Sequence, residues 1–266
     1  MLIAQISDMH LKGEGELLYG RIDTTAFLER TVAHVNALDP RPDIVLATGD
    51  LVNDGGPAQY ANLKRALAPL EMPVYLIPGN HDARDAMRAA FPEHGYLPAN
   101  GFLQYTIEGL PVRLIALDTL VDGKGHGELC DERLDWLEAR LAESDRPTLL
   151  FMHHPPFKCG IAYLDREGLN KGAERLSELV RAHGNVERVM AGHVHRPIQA
   201  RWAGTLASTA PSTAHQATLD LRPVDNLSLM MEPPGISLHL WREGTGLITH
   251  TSYVGNYVGP QPFRQM

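Results

Sequence analysis

Five times along this chain, a run of apolar β-forming residues stops at a short polar block rich in metal-ligating side chains. LIAQIS precedes Asp8-Met9-His10, DIVLAT precedes Gly49-Asp50, and VYLIP precedes Gly79-Asn80-His81-Asp82. TLLFM precedes His153-His154, and ERVMA precedes Gly192-His193-Val194-His195. In open α/β sheets ligands bind beyond the carboxyl ends of the strands, so one sheet edge can collect all five blocks. Glycines at 49, 79 and 192 let the backbone turn sharply and approach a cluster closely. Carboxylates, one amide and several imidazoles together are the donor mixture that two adjacent divalent cations take.

The spacing assigns the donors. Asp8 and His10 are two apart, and continued strand geometry would put them on one face; the same holds for His193 and His195. Asp50 has two carboxylate oxygens and can serve two cations. Asn80 offers a carbonyl oxygen and His153 an imidazole. With Asp8 and Asp50 as the charged ligands, two dications would keep a net positive charge. They would attract an anionic phosphate although the chain itself carries −8. Each block also has a plain reading. An Asp-x-His is common at strand ends, Asp50 could cap a turn, and His153-His154 before Pro155-Pro156 could be an ordinary strand exit. The joint pattern favours metal.

The surrounding chain reads as α/β. Strands are expected at Leu2 to Ile6, Asp43 to Thr48 and Val74 to Ile77. Between them lie a helix capped by Asp23, with Phe27, Leu28, Val32, Val35 and Leu38 at helical spacing, and a helix opened by Pro57. This alternation implies βαβ units and a largely parallel sheet. A hairpin is expected over Leu103 to Ile107 and Val112 to Leu117. Helices Glu132 to Leu141 and Ala173 to His183 then alternate with strands Thr148 to Met152 and Glu187 to Met190. Beyond His195 further strands are expected at Ile198 to Trp202, Ile236 to Trp241 and Leu247 to Tyr253. The expected organisation is a catalytic domain over 1–207, a cap or oligomerisation segment over 208–234, and C-terminal strands over 235–266 that return to the domain. Leu227 to Met231 is apolar without core periodicity, which points to a homo-oligomer contact, with simple packing over the catalytic domain as the plain alternative.

Bulk properties exclude several classes. Apolar residues make up 44% and charged residues 21%, a globular composition, and no apolar run approaches the ~18 residues of a membrane span. The N-terminus enters a strand without a basic n-region, so no signal peptide is expected. Cys130 and Cys159 fit reduced thiols in a cytoplasmic protein. The net charge of −8 argues against binding a nucleic-acid polymer, and no G-x-x-x-x-G-K-[ST] loop is present.

The blocks D-x-H, GD, GNHD, HH and GHxH, in this order over roughly residues 1 to 200, resemble the calcineurin-like metallophosphoesterase family. Within it, Leu18-Tyr19-Gly20-Arg21-Ile22-Asp23 and Tyr75 to Asp82 are similar to bacterial glycerophosphodiesterases, a subgroup shared with class III cyclic nucleotide phosphodiesterases. The resemblance implies a β-sandwich of two mixed sheets flanked by helices, with a small C-terminal cap or association segment. It implies two divalent metal ions (Fe, Mn, Zn or Co). One would be held by Asp8, His10, Asp50 and His195, the other by Asp50, Asn80, His153 and His193. It implies hydrolysis of a small phosphodiester by a hydroxide bridging the ions, with His81 touching the phosphate or protonating the leaving alkoxide. Asn53 could reach the phosphate or only satisfy loop backbone. His154 is open between substrate contact and a structural role. His215 sits in Ser212-Thr213-Ala214-His215-Gln216, which resembles a substrate-facing loop, but would otherwise be an exposed loop histidine. Tyr19 and Arg21 could line the pocket mouth. Phosphonate monoesters and 3',5'-cyclic nucleotides are alternative substrates. A two-metal amidase or lactonase and a catalytically silent scaffold are the alternative classes.

Overall fold

Alternate residues of the buried strands face two different cores. Ile3, Ile44, Leu46 and Ile77 point into one, together with Leu114, Ala116, Leu149, Phe151 and Met190 from strands far along the chain. Ala4, Ile6, Val45 and Ala47 point the other way, onto Leu28, Val32, Tyr60 and Leu63 of two helices. Ile115, Leu150, Met152 and Val189 likewise turn towards Leu134, Leu137, Leu176 and Val180 of two further helices. Period-two alternation between two apolar layers is what strands buried on both faces require. The result is four layers, helix–sheet–sheet–helix, with the first core between the sheets.

The computed structural model of the chain describes residues 1–259 and 261. In chain order its elements are β1 (Leu2–Ile6), α1 (Thr24–Asn36), β2 (Ile44–Thr48), α2 (Pro57–Leu67), β3 (Val74–Ile77), α3 (Arg84–Ala90) and β4 (Tyr105–Ile107). Then come β5 (Arg113–Ala116), β6 (Gly127–Glu128), α4 (Asp131–Ala142), β7 (Thr148–Phe151), α5 (Ala162–Arg166), β8 (Leu169–Lys171), α6 (Ala173–Ala182) and β9 (Val186–Ala191). The chain closes with β10 (Ile198–Trp202), β11 (Thr205–Thr209), β12 (Gln216–Ala217), β13 (Leu229–Met230), β14 (Gly235–Arg242) and β15 (Gly246–Tyr253). One sheet has the order β15-β14-β1-β2-β3 and the other β10-β11-β9-β7-β5-β4. In the first, β15-β14-β1 pair antiparallel and β1-β2-β3 parallel; in the second, β11-β9-β7-β5 pair parallel, with β10 and β4 antiparallel at the two margins.

Two mixed sheets replace the one largely parallel sheet that the βα alternation alone implies, and they match the sandwich that the resemblance implies. The physical reason is the hairpin β4–β5, which starts a second sheet rather than extending the first. Asp23 does cap α1, accepting the Ala26 N–H at 2.9 Å, and Pro57 does open α2. The stretch 208–234 divides in two. Residues 208–217 are buried, with Ser212 Oγ donating to the Asp8 carbonyl at 2.8 Å and Thr213 N–H to the Ser7 carbonyl. Exposure begins at Leu219 and runs through most of the segment to Met231. Strands β14 and β15 return to the first sheet beside β1; of the expected 235–266 segment, residues 260 and 262–266 lie outside the described residues. No helix among the described residues is long and apolar enough to cross a membrane.

Candidate metal centre

All five blocks leave the carboxyl ends of β1, β2, β3, β7 and β9 on the same rim. The strands do not continue through them. Asp8, His10, Asp50, His193 and His195 each adopt a left-handed backbone, with φ of 54°, 47°, 49°, 70° and 50°. Such φ values are uncommon for residues other than glycine and cluster where structure is held for function. They correct the shared-face argument: Asp8 and His10 reach one place because the backbone coils there, not because strand alternation continues. His193 and His195 diverge, His193 towards Asn80 and His195 towards His10.

Asp50 is the hub. Its Oδ2 lies 3.5 Å from His10 Nε2 and its Oδ1 lies 3.4 Å from His153 Nε2. One ligand-type atom each from Asp8, His10, Asp50 and His195 falls within 4.8 Å of the others. On the other side of Asp50, Asn80 Oδ1 is 3.1 Å from both His153 Nε2 and His193 Nδ1. Asp8 and Asp50 are buried, and neither pairs with a lysine or arginine among the described residues. Two buried carboxylates with no fixed cation are costly unless a cation joins them. His195 donates its Nδ1–H to the His215 carbonyl, so its Nε2 carries a lone pair, and that nitrogen faces His10 Nε2 at 3.0 Å. The donor set therefore fits two divalent ions on either side of Asp50.

The electrostatics point the same way. Burial pushes the Asp50 carboxyl up, but His153 and His81 outweigh it and hold Asp50 well below the usual carboxylate range. Burial pushes His153 down, and the neighbouring Asp50 reverses this and raises it to about 9. For Asp8, burial dominates and raises the carboxyl. Burial drives His193 down to about 3, so it stays neutral and available as a ligand.

The tight weave explains the glycines. A Cβ at Gly79 would overlap Asp50 N and Oδ1, and one at Gly192 would overlap Ser7 Oγ. Asp82 braces the same weave. It accepts the N–H groups of Gly79 at 2.8 Å and Leu51 at 3.0 Å, and the Tyr60 hydroxyl at 2.9 Å. Burial, then the nearby Asp50, pushes its carboxyl up to about 6. Its place in the glycine-bearing turn after β3 is the sequence signal for this bracing role.

The expected substrate residues fall in different places. His81 lines the cavity over the cluster. Its Nδ1–H donates to the Asn53 carbonyl at 2.7 Å, Nε2 has no hydrogen-bond partner among the described residues, and its backbone N–H donates to Asp50 Oδ1. Asn53 acts through that carbonyl, while its side chain turns to Asp54 instead of the cavity. His154 is fully buried with both ring nitrogens bonded inside the protein, so its placement does not match substrate contact. His215 is only 5% exposed, which corrects the exposed-loop reading; its ring packs against His195 and His10 at the cavity wall. Tyr19 and Arg21 line the mouth of this cavity of about 690 Å³. Tyr163, Glu167 and Leu227 to Leu229 also wall it. Leu227 to Leu229 belong to the expected cap segment, whereas Tyr163 and Glu167 escaped sequence reasoning because α5 is five residues long, too short to show a period.

Comparison with known proteins agrees with this geometry. A model of the calcineurin-like phosphoesterase family matches residues 1–197. The chain is 41% identical over 264 residues to a probable glycerophosphodiester phosphodiesterase of Arcobacter nitrofigilis, covering 99% of this chain and 97% of that one. It is 32% identical over 247 residues to a 3',5'-cyclic adenosine monophosphate phosphodiesterase of Escherichia coli, covering 91% and 86%. A crystal structure of a dimetal phosphatase from Danio rerio shares the fold, with a TM-score of 0.69, 16% identity and coverage of 96% and 99%. The chain belongs to the calcineurin-like phosphoesterase family.

Proposed function

We propose that this protein is a metal-dependent phosphodiesterase that hydrolyses small phosphodiesters, glycerophosphodiesters first among them. The observation that carries the reading is Asp50, whose two oxygens face two separate groups of metal-ligating donors. In this reading Asp8, His10, Asp50 and His195 hold one ion, and Asp50, Asn80, His153 and His193 hold the other. When bound, two such ions polarise phosphate oxygens and lower the pKa of coordinated water. The residues do the rest. Asp50 keeps the two donor groups in register, itself held by the His81 N–H. His81, oriented by the Asn53 carbonyl, presents Nε2 to the phosphate; as the imidazolium it has a proton to give the departing alkoxide. His215 and Tyr19, whose rings meet edge-on, line the cavity beside the cluster and would contact part of a bound diester.

The choice among diesters rests on relatedness over nearly the whole chain to the Arcobacter protein, a probable glycerophosphodiester phosphodiesterase. The E. coli relative supports 3',5'-cyclic nucleotides as the second reading. The mixed nitrogen and oxygen donors accept Fe, Mn, Zn or Co. The unpaired thiols Cys130 and Cys159 fit a cytoplasmic location. Leu219, Leu221, Leu227, Met230 and Met231 are all exposed on the segment that walls the cavity, which supports a homo-oligomer with that segment as contact and cap.

The test is metal stripping followed by reconstitution with Mn, Co or Zn, against a panel of glycerophosphodiesters, cyclic nucleotides, phosphonate monoesters and phosphomonoesters. Glycerophosphodiester turnover should vanish and return. Full activity in verified metal-free protein would overturn the mechanism, and no turnover of any diester would favour the amidase or scaffold classes.

A further inference from the structure

His153 and His195 have one ring nitrogen tied to a backbone carbonyl, Thr48 for His153 and His215 for His195. Such a bond fixes the tautomer and the direction of the other nitrogen. His193 has no such tie. Its Nδ1 faces Asn80, and its buried Nε2 makes no hydrogen bond among the described residues, although the Glu167 backbone lies near the ring. Packing must then help set the angle of this ring.

The ring packed most closely against it is His154, with centroids 4.5 Å apart and planes tilted by 50°. His154 also meets His153 edge-on at 4.8 Å. His154 itself is rigidly held. Its Nε2 faces the Gly125 carbonyl at 3.0 Å, and a carbonyl can only accept, so Nε2 carries the proton. Nδ1 then accepts the Thr119 hydroxyl at 2.8 Å. The Thr119 oxygen in turn accepts the His154 backbone N–H at 3.3 Å. The chain on the far side is shaped to the ring: a Cβ at Gly127 would overlap His154 Nδ1 and Cγ. Both nitrogens are engaged and the residue is fully buried, so His154 neither ligates an ion nor touches substrate.

We propose that His154, clamped by Thr119 and Gly125, is a positioning residue that fixes the ring of His193, and so tunes the ion site formed by Asn80, His153 and His193 and not the site at Asp8 and His10. This rests on the two-metal reading above. Thr119 is the place to test it. Thr119→Val keeps the shape but leaves the Nδ1 lone pair of a buried ring without its donor, whereas Thr119→Ser retains the hydroxyl.

The experiment is a cobalt(II) titration of the metal-free full-length protein, followed by calorimetry and by visible ligand-field absorption. The wild type should show two binding steps. Thr119→Val should weaken one of them about 10- to 100-fold, the range seen when partners of metal ligands are removed, and leave the other unchanged. Thr119→Ser should restore it. In an Asn80→Ala background, where that site is already impaired, Thr119→Val should not weaken the remaining step further. Two unchanged steps in Thr119→Val would overturn the proposal, as would equal weakening of both with a lower melting temperature, which is what a merely structural role gives. A wild type that binds fewer than two cobalt ions would instead overturn the two-metal reading beneath it.

Discussion

Gly79→Ala is the smallest change that should disable this enzyme. The added methyl would overlap Asp50 N and Oδ1 and stand 2.8 Å from His153 Cε1, closer than the 3.0 Å that real Cβ contacts essentially never undercut. Backbone lies on one side and a fully buried imidazole on the other, so neither neighbour can swing away. The turn carrying Asn80 and His81 must therefore move off Asp50. That movement strains the His81 N–H bond to Asp50 Oδ1 and the Gly79 N–H bond to Asp82. Overpacking of this kind costs about 1–3 kcal/mol. At roughly 2–4 °C per kcal/mol for a domain of this size, the melting temperature should fall by about 2–12 °C. Displacing catalytic groups by about 1 Å can cost ~10²-fold in rate, so kcat should fall far more than the stability loss alone accounts for. The assay pairs thermal unfolding with kcat for bis(p-nitrophenyl) phosphate at saturating Mn. Gly184→Ala, where a Cβ meets nothing within 4 Å, is the control and should behave as wild type. A Gly79→Ala protein with unchanged melting temperature and kcat would refute the close-packed hub.

Three further outcomes follow from the same geometry. Asp50→Ala should lose both ions by elemental analysis, while Asn80→Ala loses mainly one; two retained ions in Asp50→Ala would remove the bridging role. His81→Ala should keep both ions yet lose more kcat on an alkyl diester than on bis(p-nitrophenyl) phosphate, since an alkoxide needs a proton and a nitrophenolate does not; a positioned acid contributes ~10²–10⁴, and equal losses would leave no acid role. His239 donates from Nε2 to Gln5 Oε1 and accepts from Thr249, and burial followed by Arg188 pushes it down to about 3. The unfolded chain binds this proton below about 6.5 while the folded chain does not, so stability falls with pH below that point, by about 2 kcal/mol between pH 6.5 and 5. His239→Gln should flatten the denaturation profile in that window relative to wild type; identical pH slopes would show that the ring titrates in the folded state.

Much of the architecture was legible because strands buried on both faces carry long apolar runs, and each ended in polar residues. The hairpin β4–β5 was readable for the same reason. What escaped was short or irregular. Helix α3 buries only Met87, and α5 has a single buried residue, Leu164, so neither shows a helical face. Strand β11 escaped because its turn passes through Ala203 and Gly204, both at positive φ, and alanine gives no turn signal. At the site, residue types and chain order located the donors. The left-handed backbone at Asp8, His10 and His195 did not show, because nothing local in those residues demands it; the packing of five strand ends imposes it. The same limit hid His154 and His215, whose burial depends on Gly127, Thr119 and the 208–217 stretch arriving from elsewhere in the chain.

The most direct test of the two-metal account is anomalous diffraction from crystals of the manganese-loaded protein, recorded above and below the manganese edge. The account predicts two peaks about 3.5–4 Å apart, one against each oxygen of Asp50. One peak should be ringed by Asp8, His10 and His195, and the other by Asn80, His153 and His193. A single peak, or two peaks of which either lies away from Asp50, would contradict it.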